Sequence, residues 1–228
     1  MEQTLRSECA RLGIALTDAQ VQQFCRFGQA LIEKNKVMNL TAITEPQAVA
    51  KLHFADCLAL LQAADFHGKS VIDVGCGAGF PGVPLKLGEP TIALTLLDSL
   101  QKRVVWLRET LESMDVQAQC VAARAEEYDA REQFDFAVSR AVARLNVLAE
   151  LCLPFVKVGG CFLAMKAAAA DEELSEAKRA VKLLGGQWER TEEYEIDGAC
   201  RRVLIFRKTH PTPKQYPRRF AKIKQQPL

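Results

Sequence analysis

Val71-Ile72-Asp73-Val74-Gly75-Cys76-Gly77-Ala78-Gly79-Phe80-Pro81-Gly82 is a short apolar run that breaks into glycines at alternate positions. The run reads as a buried strand, and the glycines as a tight turn whose backbone a ligand can approach closely. Gly-x-Gly-x-Gly is shared by nicotinamide, flavin and S-adenosylmethionine binders. The dinucleotide pattern wants its third glycine at position 80, which here is Phe80. No Gly-Lys-Ser/Thr follows, which argues against a P-loop. A second apolar run, Thr91 to Leu97, ends in Asp98, about twenty residues beyond the loop, where an acidic side chain accepts hydrogen bonds from ribose hydroxyls. A solvated strand-end carboxylate is the plainer alternative. Together the loop and Asp98 predict an adenosyl ligand, and Phe80 tilts the choice to S-adenosylmethionine.

Outward from this stretch the hydrophobic period divides the chain. Residues 1–65 read as helical, with Val21, Phe24, Cys25, Phe27, Gly28, Leu31 and Ile32 on one face and Thr17-Asp18 as a start signal. Glu45-Pro46 opens a further helix. In the segment 66–208, predicted strands at 70–74, 91–97, 117–122, 134–138, 159–165, 187–195 and 201–208 alternate with helices near 82–88, 100–114, 142–153 and 171–184. Alternation implies parallel strands joined by right-handed crossovers. Asp197-Gly198 between the last two strands marks a hairpin, and so one antiparallel terminal strand. The expected fold class is α/β, a mostly parallel Rossmann-like sheet resembling that of S-adenosylmethionine-dependent methyltransferases, preceded by an N-terminal helical cap. Residues 209–228 form a third part, a basic, proline-rich arm.

With 228 residues and 49% hydrophobic side chains, the chain can bury an ordinary globular core. No apolar stretch reaches the roughly 20 residues of a membrane span, and the N-terminus lacks a signal-peptide profile. Eight cysteines without a Cys-x-x-Cys pair predict a reduced, cytoplasmic protein. Three histidines without metal-ligand spacing predict no metal. The net charge of +2 is uneven: from Arg207 onward there are seven Lys/Arg residues and no acid. A basic arm carrying Tyr216 and Phe220 suits a nucleic-acid backbone and unstacked bases, and Lys214, Arg218 and Arg219 are its candidate RNA contacts. A solvated tail is the alternative.

At the carboxyl ends of the strands, Gly75, Gly77, Gly79, Phe80 and Asp98 with adjacent Ser99 form the predicted cofactor set. Ala125 and Glu126 after the third strand are placed to flank the adenine. Arg140, in Ser139-Arg140-Ala141 after the fourth, is a charge at a buried strand end. It reads either as half of a structural salt bridge or as a positioning group for cofactor or target base. Asn/Asp-Pro-Pro-aromatic, the pattern of exocyclic-amine methylation, is missing there, as is the cysteine needed for C5 of pyrimidines. A nucleophile with a free lone pair, such as guanine N7, stays compatible and needs no general base. His53 and Asp56 are i, i+3 neighbours able to share a hydrogen bond, either for packing or for a site. Lys166, at the end of the fifth strand, is a candidate phosphate contact.

Several stretches in order carry a more specific likeness: Asn39-Leu40-Thr41, His53-Phe54-Ala55-Asp56, Leu96 to Arg103, Arg124 to Glu127, Leu163 to Lys166 and Thr212 to Arg218. With the glycine loop and Ser139-Arg140-Ala141, they make the chain resemble the small-subunit ribosomal RNA guanine-N7 methyltransferases, once called glucose-inhibited division protein B. The resemblance implies methyl transfer from S-adenosylmethionine to a guanine N7 of 16S-type ribosomal RNA, free or in an assembling small subunit, by a cytoplasmic enzyme expected to be monomeric. It places Gly75, Phe80, Ala125, Glu126 and Arg140 on cofactor-contacting positions, and Asn39 and His53 are kept with Lys166 as RNA-side candidates. Cys57 and Ala167 depart from the usual serine and glycine. A non-catalytic ribosomal RNA assembly factor and a methyltransferase for another RNA position are the alternatives. A nicotinamide oxidoreductase would share the loop but lacks its hydride-partner residues.

Overall fold

The computed structural model of the protein describes residues 1–140, 143–168 and 170–228. Seven strands form one sheet: β1 (Ser70–Val74), β2 (Ala93–Asp98), β3 (Gln119–Ala122), β4 (Phe134–Ser139), β5 (Val156–Ala167), β6 (Gly186–Ile196) and β7 (Ala199–Lys208). Their order is β3-β2-β1-β4-β5-β7-β6. The chain reverses spatial direction between β1 and β4, so the switch point lies beside the glycine loop. β1 to β5 pair in parallel, and β7 runs antiparallel to both β5 and β6. The antiparallel strand is thus the last in the chain, but it inserts between β5 and β6 and leaves β6 at the edge. The hairpin turns on Asp197 and Gly198, both at positive φ, as a two-residue turn of matching twist requires.

Alternate residues of each strand enter different cores. On β5, Cys161, Leu163 and Met165 face one side, while Phe162 and Ala164 face the other. The first side is covered by α1 (Glu2–Arg11), α2 (Asp18–Met38), the helical run from α3 (Pro46–Val49) through α4 (Asp56–Leu58) and α5 (Leu60–Ala63), and by α6 (Gly82–Gly88) and α7 (Gln101–Ser113). The second is covered by α8 (Leu145–Cys152) and α9 (Asp171–Leu183). A capping box between Thr17 and Gln20 starts α2, and Val21, Phe24, Phe27, Gly28 and Leu31 are its buried stripe; Cys25 and Ile32 are half-buried. Between α3 and α4 the backbone widens into a π-helical turn, Ala50–Ala55. That turn carries His53 and ends at Asp56.

The tail corrects the expectation of an extended arm. Residues 209–219 have no regular structure, but α10 (Phe220–Gln225) follows, and the segment is docked on the body. Tyr216, Thr212 and Ile223 are buried. The Arg131 guanidinium donates to the carbonyls of Tyr216 (2.6 Å), Thr212 (2.7 Å) and Pro213 (2.8 Å).

Candidate active site

β1 and β2 end side by side, so Asp98 reaches under the glycine loop. Its Oδ2 accepts from the Gly77 N–H (2.9 Å) and its Oδ1 from the Leu100 N–H (2.8 Å). Each carboxylate oxygen keeps a second lone pair for a ligand. Asp98 lines a cavity of about 230 Å³ together with Gly75, Ser99, Ala125, Glu126 and Phe220. Most of the predicted cofactor set therefore converges on one place.

Most of the loop's amides are bonded within the fold. The N–H groups of Gly75 and Cys76 donate to Leu97 O (2.8 and 3.1 Å), and those of Gly79 and Phe80 to Cys76 O (2.8 and 2.9 Å). Glycine here clears space rather than presenting donors. At Gly77 an added Cβ would meet no atom within 4 Å, so the loop leaves open room beside Asp98. Gly79 has a packing role of its own. Its Cβ would stand 2.7 Å from Val83 and 2.9 Å from Leu107, so its smallness serves packing of the core. The Phe80 ring is buried against His53, Phe27 and Phe54 and is not part of the lining of the strand-end cavity.

Asp73 was not singled out from sequence. Its carboxyl is fully buried; Oδ2 accepts from the Gly82 N–H (2.7 Å), while Oδ1 has no hydrogen-bond partner. Burial pushes its pKa up to about 7. An unsatisfied acceptor beneath the loop fits a site shaped for a cationic, hydrogen-bonding ligand.

A second cavity, of about 530 Å³, opens at the same edge beyond β4, lined by His53, Asp56, Arg140, Lys166, Tyr194 and Arg201 among others. Arg140 organises it. Its guanidinium donates to Leu52 O (3.2 Å), Asp56 Oδ2 (3.0 Å) and His53 Nδ1 (2.9 Å), and lies 4.9 Å from the centre of the Phe80 ring. His53 stacks on the same ring at 4.4 Å. Because Arg has only donors, Nδ1 must accept, which leaves Nε2–H to donate to Thr41 Oγ1 (2.8 Å). Burial, reinforced by the Arg140 charge, pushes His53 down to a pKa of about 3, so the ring is neutral. Asp56 Oδ1 accepts from the Tyr194 hydroxyl (3.0 Å) and lies 3.8 Å from Arg201. His53 and Asp56 thus meet through Arg140 rather than directly. The widened turn brings both to the cavity, as such turns often do at functional sites.

The other RNA-side candidates do not gather here. Asn39 is the exposed left-handed cap of α2 (φ 49°). Lys166 reaches the second cavity, but its ammonium is held by Glu173 (2.8 Å) and Ala143 O (2.5 Å), which opposes its use as a free phosphate contact. Arg218 is likewise committed: it binds Glu150, which is fully buried, at 2.7 and 2.6 Å. Lys214 and Arg219 are exposed. Ala141 lies outside the described residues. Tyr194 and Arg201 were missed, because their placement depends on strand order, and Phe220, read as an arm aromatic for RNA, instead lines the strand-end cavity.

The family model described as rRNA small subunit methyltransferase G matches residues 20–203. The chain belongs to this family. Curated ribosomal RNA small subunit methyltransferases G of Pelotomaculum thermopropionicum and Alkaliphilus oremlandii are 43% and 44% identical to it, each over 100% of this chain and 99% of the relative. Among solved structures, a SAM-dependent methyltransferase from Aquifex aeolicus superposes with a TM-score of 0.54 at 16% identity, over 77% of this chain and 97% of that one. TYW2 of M. jannaschii in complex with AdoMet gives 0.54 at 12% identity, over 86% and 78%. These two show the fold. The family's members are methyltransferases, and S-adenosylmethionine is the cofactor. Among the described residues no helix is long and apolar enough to cross a membrane.

Proposed function

We propose that this chain methylates N7 of one guanine in small-subunit ribosomal RNA of the 16S type. Two cavities at the carboxyl edge of one sheet suit a methyl donor in the first and a splayed-out base in the second. The observation that carries the reading is that the two side chains bonded to Arg140, His53 and Asp56, have the acceptor atoms facing it already occupied. His53 is held neutral with Nδ1 occupied by Arg140, and Asp56 is engaged by Arg140 and Tyr194. Guanine N7 has a lone pair and no proton. S-adenosylmethionine held beside Asp98 would supply a sulfonium methyl whose carbon–sulfur pair returns to sulfur on transfer to N7, so no base would be needed. Holding the atoms in line provides the acceleration. Arg140 is the positioning residue, since it fixes the wall of the acceptor cavity.

The reading takes the enzyme as a monomer. It places the enzyme in a reducing cytoplasm, in keeping with eight free cysteines. The test is methylation of small-subunit ribosomal RNA followed by borohydride and aniline, which cleaves at 7-methylguanosine. Cleavage at one guanine is expected. Methyl on an exocyclic amine, a ring carbon or a ribose overturns the assignment, and binding without transfer reinstates an assembly factor.

A further inference from the structure

We propose that the docked C-terminal segment is the outer wall of the cofactor cavity, with the Phe220 ring as the surface against which the adenine packs. This rests on the placement of S-adenosylmethionine at the ends of β1, β2 and β3. The cavity has two chemical sides. Asp98 and Ser99 are polar and meet at the strand ends, whereas Ala125, Leu148, Leu151 and Phe220 make an apolar slot. A flat, aromatic base suits the slot, and a ribose suits the carboxylate.

Phe220 is not there by accident of a loose tail. Its backbone N–H donates to Glu126 Oε1 (3.2 Å), which ties the start of α10 to the loop after β3. Two residues earlier, Arg218 grips the buried Glu150 of α8 through its guanidinium and through its backbone N–H (2.9 Å). Three residues later, Ile223 is fully buried. Anchors on both sides hold the half-buried ring in place before any ligand arrives, so little ordering cost is left for binding. Glu126 therefore acts twice at this cavity: it lines the slot and it holds the start of the helix that closes it.

Calorimetry of the full chain with S-adenosylhomocysteine tests this. Phe220→Ala is expected to weaken binding about tenfold, with thermal unfolding of the ligand-free protein close to wild type. Phe220→Trp is expected to retain binding and to show a change of indole emission on titration that wild type, with Trp106 and Trp188, does not. Asp98→Ala serves as the control for the site itself. If Asp98→Ala weakens binding and Phe220→Ala leaves it unchanged, the wall assignment is overturned. If neither changes affinity, the placement of the cofactor at the strand ends fails, and the wall with it.

Discussion

His53 and Asp73 are both buried and titrate in opposite senses. The unfolded His53 takes up a proton near pH 6.5 and the folded one only near 3, so acidification through this window favours the unfolded chain. The loss reaches at most about 1.4 kcal/mol per pH unit. Denaturant unfolding of His53→Gln is expected to show a shallower loss of stability between pH 6.5 and 4; an unchanged slope removes His53 from the account. Asp73 works the other way. Its folded carboxyl ionises near 7 and its unfolded one near 3.8, so the unfolded state is favoured as pH rises through that interval. Asp73→Asn should flatten that fall in the cofactor-free protein while keeping an acceptor for the Gly82 N–H. Asp98 is the simplest of the three. Asp98→Ala should weaken S-adenosylmethionine binding by roughly 1–3 kcal/mol, and an unchanged calorimetric affinity in a folded variant excludes Asp98 as a ligand contact.

At the scale of elements, what was legible was local. The apolar run into Gly75, the start signal at Thr17 and the Asp197-Gly198 hairpin are each written in a few adjacent residues, and each stands where the sequence puts it. The π-helical turn was not legible, because its apolar spacing matches that of an ordinary helix. Nor was the docking of the tail, whose prolines point to an extended arm but whose anchors, Arg131 and Glu150, lie on distant elements. The Arg218–Glu150 pair sets a prediction for that docking. Arg218→Ala leaves a carboxylate buried without its cation, and a loss of about 3–5 kcal/mol in unfolding free energy is expected. Arg218→Met with Glu150→Leu should recover most of it, since the uncompensated charge is gone. A double variant as unstable as the single one would mean that the pair holds the tail by geometry rather than by charge.

Across the whole molecule, the second cavity joins parts that are far apart in the chain: Thr41 in the loop after α2, His53 on the π-helical turn, Arg140 after β4, Tyr194 on β6 and Arg201 on β7. Only the strand order brings them together, whereas Gly75, Asp98 and Ser99 of the strand-end cavity each stand in a short, recognisable stretch of sequence. The same view redistributes the basic charge. Of the three arm residues expected to meet RNA, Arg218 is spent on Glu150, while Lys214 and Arg219 stay exposed on a segment fixed beside the cofactor cavity. Phosphate contacts from fixed cations give affinity through counterion release without choosing the base. Replacing Lys214 and Arg219 together by Gln should therefore weaken RNA binding and reduce the slope of log affinity against log salt by about 1.5. Cofactor affinity and the modified guanine should stay as in wild type. Arg218→Gln should act mainly on stability and change that slope little under conditions where the variant is folded. Equal slopes for wild type and the Lys214/Arg219 variant would place the RNA on another face of the molecule.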